Sequence, residues 1–338
     1  MSGTNFLIKN KTNVLVINSE FGDTTSPGVD GLNIQNCRNV LIYRCTVSNV
    51  AGEGIHIYAT NEYGTENVTI LDSLVSHARE DGIKVETRDD QVMPFVNPMK
   101  NVRILSNRIR HTGLGTTSLP AARHGMYVKA QDALIEGNLV FHSYYGSAIT
   151  LRSSGVIRGN RCGYSYQWAI GMTSQTRLGP SKTVLIENNV IYMDLAYAGS
   201  TIGGGIRYSK DSTTAMQFPP EKSITRFNTL HFKNEYALPQ AMIQLSSSIA
   251  SNEVYGNLLV DQRSTPIYIG TSPGAVLSQN YQTSSASVFI DAVNHDYRLA
   301  SASQAIGFAN GLTRAPALDI EGKSRPTQGS LDAGAYEN

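Results

Sequence analysis

Two cations occupy the same place in successive copies of a short motif. Lys129 closes His124-Gly-Met-Tyr-Val-Lys129, and Arg152 closes Ser147-Ala-Ile-Thr-Leu-Arg152. An amine and a guanidinium side by side can hold an anion, and the amine becomes a base once it loses its proton. The motif also occurs as Asp30-Gly-Leu-Asn-Ile-Gln35, Glu53-Gly-Ile-His-Ile-Tyr58 and Asp81-Gly-Ile-Lys-Val-Glu86. It returns as Trp168-Ala-Ile-Gly-Met-Thr173, Gly204-Gly-Ile-Arg-Tyr-Ser209, Ala241-Met-Ile-Gln-Leu-Ser246 and Thr265-Pro-Ile-Tyr-Ile-Gly270. With the apolar third and fifth residues inside, the first, fourth and sixth are expected to face outward. Those columns gather His56, Lys84, Glu86, His124, Tyr127, Lys129 and Arg152 within about 15 by 20 Å, with Tyr58 as a further substrate-binding candidate in the sixth column. A patch of acids, bases and aromatics suits a carbohydrate, and its Lys and Arg suit an acidic one. Tyr145 and Arg207 flank it as further substrate-binding candidates. So does Trp168, the sole tryptophan, either as a sugar-stacking platform or as a packed strand-edge residue. The insertions at 87–123 and 174–203 are expected to wall this face into a groove.

The elements that must hold this patch are strands. A second alternating pattern follows the first, as in Asn39-Val-Leu-Ile-Tyr, Asn67-Val-Thr-Ile-Leu, Asn101-Val-Arg-Ile-Leu and Thr183-Val-Leu-Ile-Glu. Both have period two, and helical periodicity is weak throughout. Successive motifs start 23 residues apart from Asp30 to Glu53, 23 from His124 to Ser147 and 21 from Ser147 to Trp168. A repeat of that length, with short strands and insertions at fixed places, marks a solenoid. Leucine-rich repeats need a Leu framework and a helical half, and a propeller blade is about twice as long. The fold expected is all-β: a single-stranded right-handed parallel β-helix of about ten coils over residues 1–290. An irregular segment, 291–338, is expected to cap it and hide the open edge of the last coil. Asn107, Asn138, Asn160, Asn189, Asn228, Asn257 and Asn280 share one register after the second strand, where earlier coils carry Ser19, Cys45 and Ser73. Stacked amides at that register can bond the turn backbone and one another.

Bulk properties exclude several classes. Hydrophobic residues are 41% and charged residues 16%, ample for a core and too little charge for disorder. A net charge of +1 argues for neither nucleic acid nor a membrane surface as partner. No stretch is apolar enough to span a bilayer. Cys37, Cys45 and Cys162 are odd in number and widely spaced, so buried thiols are expected rather than a zinc site or disulfides. His77, His111 and His142 fall away from the patch and are expected to be structural. The opening residues do not form a signal peptide, yet the fold suits a secreted or periplasmic protein whose signal is absent from this chain. A capped solenoid is expected to be a monomer.

The Lys129 and Arg152 motifs resemble the chondroitinase B / alginate lyase family of β-helix lyases, and the rest of the chain resembles the broader pectate-lyase-like superfamily. The resemblance implies β-elimination on a uronate-bearing polysaccharide, with Lys129 as base and Arg152 supporting the substrate carboxylate. His124 or Tyr127 would assist as base or as proton donor to the leaving oxygen. That family places acidic Ca2+ ligands just before the Lys, where this chain has Ala122 and His124. Asp81 and Glu86, one motif earlier, are the candidate metal ligands instead. One alternative is a glycoside hydrolase of the same fold, using a carboxylate pair drawn from Glu53, Asp81, Glu86 and Asp89-Asp90. Another is a non-catalytic glycan-binding or adhesive solenoid.

Overall fold

A short strand with one apolar face cannot bury that face alone, and stacking copies of it is the remedy. The computed structural model describes residues 6–60, 64–87, 99–115, 122–174, 182–193, 203–210, 220–233, 241–270, 272–327 and 329–338. Within them the chain winds through three strands per coil and pairs each strand with its counterpart one coil on. The result is three parallel sheets of ten strands each. There is no α-helix among the described residues. Coils are numbered here by their first-sheet strands: Phe6–Lys9, Leu32–Gln35, Ile55–Ala59, Ile83–Thr87, Met126–Lys129, Ile149–Leu151, Trp168–Ser174, Gly204–Lys210, Ile243–Gln244 and Ile269–Gly270.

Register follows the motif. Leu32, Ile55, Ile83, Met126, Ile149, Ile170, Ile206 and Ile243 pair one to the next and form a fully buried column. Burying each such side chain is worth about 1.5–3 kcal/mol. The Gly in the motif has a packing reason. A Cβ on Gly54 would sit 2.4 Å from the Gly82 carbonyl oxygen, and one on Gly82 would sit 2.6 Å from that of Gly125.

A second column is polar. Asn138 donates from its backbone N–H and its Nδ2 to Oδ1 of Asn160, at 3.0 and 2.9 Å, and from Nδ2 to the Ile104 carbonyl at 2.8 Å. The same pattern links Asn107 through Asn257 and ends on Asn280. Ser73 and Cys45 continue it toward the N-terminus through backbone N–H donors. Leaving one such buried group unsatisfied costs about 1–3 kcal/mol. The three cysteines are buried and free.

The C-terminal segment packs on the solenoid. The last ladder strand ends at Thr283, and an antiparallel pair, Phe289–Asp291 with Asp296–Leu299, follows it across position 290. Phe289, Tyr297, Leu299, Ala333 and Tyr336 pack on Val190, Tyr192, Leu258 and Val260, along the side of the third sheet. Val276 and Leu277 in the last strand of the second sheet stay 59% and 43% exposed. The tail thus packs mainly along the side of the third sheet and also touches the last coil, where Tyr281 meets Phe308 with ring centres 5.0 Å apart. On that sheet's outer side His77, His111, His142 and Tyr164 all adopt left-handed backbone and stack at 4.8 Å, the coil repeat.

Candidate functional site

The first column of the motif does not face solvent. Asp30 Oδ1 accepts from the Glu53 N–H at 3.0 Å, Glu53 Oε2 from Asp81 at 2.6 Å, and Asp81 Oδ1 from His124 at 2.5 Å. His124 Nδ1 then accepts from the Ser147 N–H at 3.0 Å. Each side chain caps a backbone N–H at the bend into the next coil's first strand. All five residues are 6% exposed or less. A buried N–H must find an acceptor, and at this bend a side chain supplies it. Glu53, Asp81 and His124, expected on an outward surface, are thus part of the frame.

Coils two to four hold a closed ion cluster beside that frame. Lys84 Nζ lies 2.9 Å from Glu53 Oε1 and 3.7 Å from Glu86 Oε1. His56 Nδ1 lies 3.0 Å from Asp30 Oδ2, and its Nε2 lies 3.4 Å from Glu86 Oε1. Burial works against a charge on His56, but Asp30 and Glu86 outweigh it and raise its pKa. Burial likewise opposes the Glu86 carboxylate, yet His56, Lys84 and Lys129 hold it below its usual range. Three carboxylates surround the Lys84 ammonium, and burial leaves the cluster holding an extra proton: Glu53 is pushed up to about 8 and Asp81 to about 6. Every charge here is matched internally. His56 at 3% and Tyr58 at 9% exposure, with rings 4.9 Å apart, are packed rather than displayed. That overturns their expected substrate contacts, and Lys84 is committed to Glu53.

The proposed metal pair also separates. Asp81 bonds the His124 backbone while Glu86 serves His56 and Lys84. Among the described residues no group of three or more His, Cys, Asp or Glu side chains is placed to hold a metal ion. These residues do not fit the Ca2+ site expected from the resemblance. Asp89 and Asp90 lie outside the described residues, as do 88–98, 116–121, 175–181 and 194–202 of the insertions expected to wall the groove; their described parts include Lys100–Leu105, Arg108–Thr112, Thr183–Glu187 and Val190–Met193, which are strands of the second and third sheets instead.

Coils five to eight differ. Tyr127 pairs with Thr150 and Val128 with Leu151, so Lys129 and Arg152 stand at the next shared level of adjacent coils. Lys129 is only 3% exposed and pairs in register with Glu86. It does not project freely into solvent as expected, because the patch packs together instead of standing apart. Arg152 Cζ sits 5.1 Å from the Tyr127 ring centre. Burial raises the Tyr127 pKa against the opposing pull of Arg152, so it is a phenol at neutral pH. His124 is pushed down to about 3 by burial, then by Arg152, Lys84 and Arg123. It is neutral, and with Nδ1 accepting from Ser147 its proton belongs on Nε2. That leaves His124 without a lone pair for the base role.

A cleft of about 100 Å³ opens here, lined by His124, Thr150, Arg152, Trp168, Gly171, Thr173, Arg207 and Ser209 among others. Trp168 is 3% exposed, lies against Gly204 and carries Arg207 Cζ 5.6 Å from its ring centre. Tyr145 packs on Tyr166 at 5.9 Å instead of lining the cleft. Sequence reading passed over Gly171, Thr173 and Ser209. Gly171 stands between Thr150 and Arg207 in the fourth column, and this small residue between larger ones was the available signal.

Three stacked parallel sheets of short strands define a right-handed parallel β-helix with a polar first-sheet face. A family model described as "Right handed beta helix region" matches residues 2–97. Among solved structures, the chain is similar to one described as "Crystal structure of pectate lyase Pel9A", with a TM-score of 0.56 and 14% identity over 100% of this chain and 84% of that one. No curated protein matches.

Proposed function

We propose that this protein is a carbohydrate-active β-helix that cleaves an acidic, uronate-bearing polysaccharide by β-elimination. One observation carries the reading: Arg152 and Arg207 flank a cleft that has Tyr127 beside it and no carboxylate in its described lining. The solved pectate lyase of the same fold supports it. A uronate carboxylate on Arg152 has its charge neutralised, which acidifies the adjacent C–H. Lys129, at the same level one coil earlier, takes that proton. The C–H electron pair becomes the new double bond as the glycosidic C–O bond breaks, and the Tyr127 phenol protonates the departing oxygen. Lys129 must be neutral to accept the proton, so kcat should rise with pH. Such a protein acts as a secreted or periplasmic monomer.

The hydrolase alternative loses Glu53 and Asp81, both spent on backbone N–H groups. The non-catalytic binder retains one observation in its favour, the burial of Lys129. A screen of polyuronates, glycosaminoglycans and neutral glycans, with and without chelator, separates the three. New absorbance from unsaturated uronates that Lys129→Ala abolishes supports the lyase. Reducing ends without that absorbance identify a hydrolase, and binding without turnover a binder.

A further inference from the structure

Among the described residues, the Arg207 guanidinium is half-buried and makes no ion pair. Arg226, Arg263 and Arg325 each hold a carboxylate at 2.6–2.8 Å. Arg207 has only the face of Trp168, and desolvation alone pulls its pKa down. Burying a cation unpaired is costly, and such sites persist where a ligand supplies the missing charge. A second group beside it is unspent. The Trp168 Nε1–H is buried and has no hydrogen-bond partner, although a buried indole N–H usually finds one.

The surroundings fit an anion. Gly171 leaves a gap in the fourth column where a side chain would otherwise stand between Thr150 and Arg207. The Thr173 and Ser209 hydroxyls bond each other at 2.9 Å, so one of their two hydrogens remains free to donate. About 100 Å³ holds roughly three waters, enough for an oxyanion group and too little for a sugar ring. Arg152 and Arg207 are separated by two coils, about 9.6 Å along the axis.

We propose that Arg207 and Trp168 form a second oxyanion seat, which takes a carboxylate or sulfate group borne by the same ligand that engages Arg152. The inference rests on the acidic-polysaccharide reading and narrows it: the ligand carries anionic groups on more than one sugar. Arg207 supplies the charge, the Trp168 N–H and a hydroxyl supply neutral donors, and the small volume excludes the ring that carries the group.

Trp168 is the only tryptophan, so its emission reports on this seat alone. The full chain is titrated with inorganic sulfate and, separately, with monomeric galacturonate, against chloride at constant ionic strength. A saturable change in emission with either anion, lost in Arg207→Gln, is the expected result, and the anion that works identifies the group. Polyuronate binding should weaken about tenfold in the same variant. Gly171→Val is the second variant: its side chain fills the gap in a column where Thr150 is already β-branched, and it should abolish the response with Arg207 intact. No saturable change with either anion in the unaltered chain overturns the seat. If polyuronate then still binds in a manner sensitive to Arg152→Gln, the broader reading stands without it. If no polyanion binds at all, both fall.

Discussion

The outer face of the first sheet is charged along most of its length, yet its two halves are built differently. In coils two to four, Asp30, Glu53, His56, Asp81, Lys84 and Glu86 neutralise one another and cap backbone N–H groups. In coils six to eight, Arg207 lacks a carboxylate, the Trp168 N–H lacks an acceptor, and a cleft lies between them. Density of charge therefore marks the frame here, and unmatched charge marks the candidate site. A group already satisfied by the fold has little left to offer a ligand, whereas an unsatisfied one gains by binding.

The largest expected contrast is in stability. Lys84→Met strands three carboxylates around a missing ammonium and should cost about 3–5 kcal/mol, read as a lower denaturant midpoint at unchanged slope. A loss below about 1 kcal/mol would show the cluster to be loosely solvated and the contrast unfounded. Arg152→Gln should act on the other half only: kcat/KM for unsaturated product falls about 10²–10³-fold, while the midpoint stays within about 0.5 kcal/mol. An equal loss of stability would move Arg152 into the frame.

Proton linkage should also distinguish the halves. Glu53 has a folded pKa near 8 against 4.5 for the free group, so above pH 4.5 the folded state binds a proton the unfolded state has lost. Its contribution to stability is complete below pH 4.5 and disappears as pH rises through 8. Tm should fall between pH 6.5 and 8, and Glu53→Gln should flatten that slope. A slope that persists unchanged in the variant assigns the effect elsewhere. The smallest effect is expected from Arg207→Gln, with a Tm equal to or slightly above the parent because a desolvated cation is relieved. A clear drop would mean that Arg207 has a structural partner.

Much of the architecture was legible in the chain. The apolar third and fifth positions name the core column from Leu32 to Ile243, and the shared register of Asn107 to Asn280 names the polar one. Composition reveals that the tail carries apolar residues, and only the structure shows that the third sheet receives most of them. The candidate site was legible as columns: His124, Tyr127, Lys129, Arg152, Trp168 and Arg207 were all singled out. Their roles were not, since Lys129 and His56 prove buried, Asp81 and Glu86 part company, and Gly171 matters by having no side chain.

The chain alone determined which residues share a strand face and which coil follows which, because period-two alternation and a repeating length are local properties of the backbone. Only the tertiary structure decided which of those outward residues meet solvent. Pointing away from the core is a matter of strand geometry. Remaining unpaired depends on side chains one coil away, separated by 23 to 43 residues of sequence in the column from Asp30 to Ser147, and no local pattern records whether those partners close the gap.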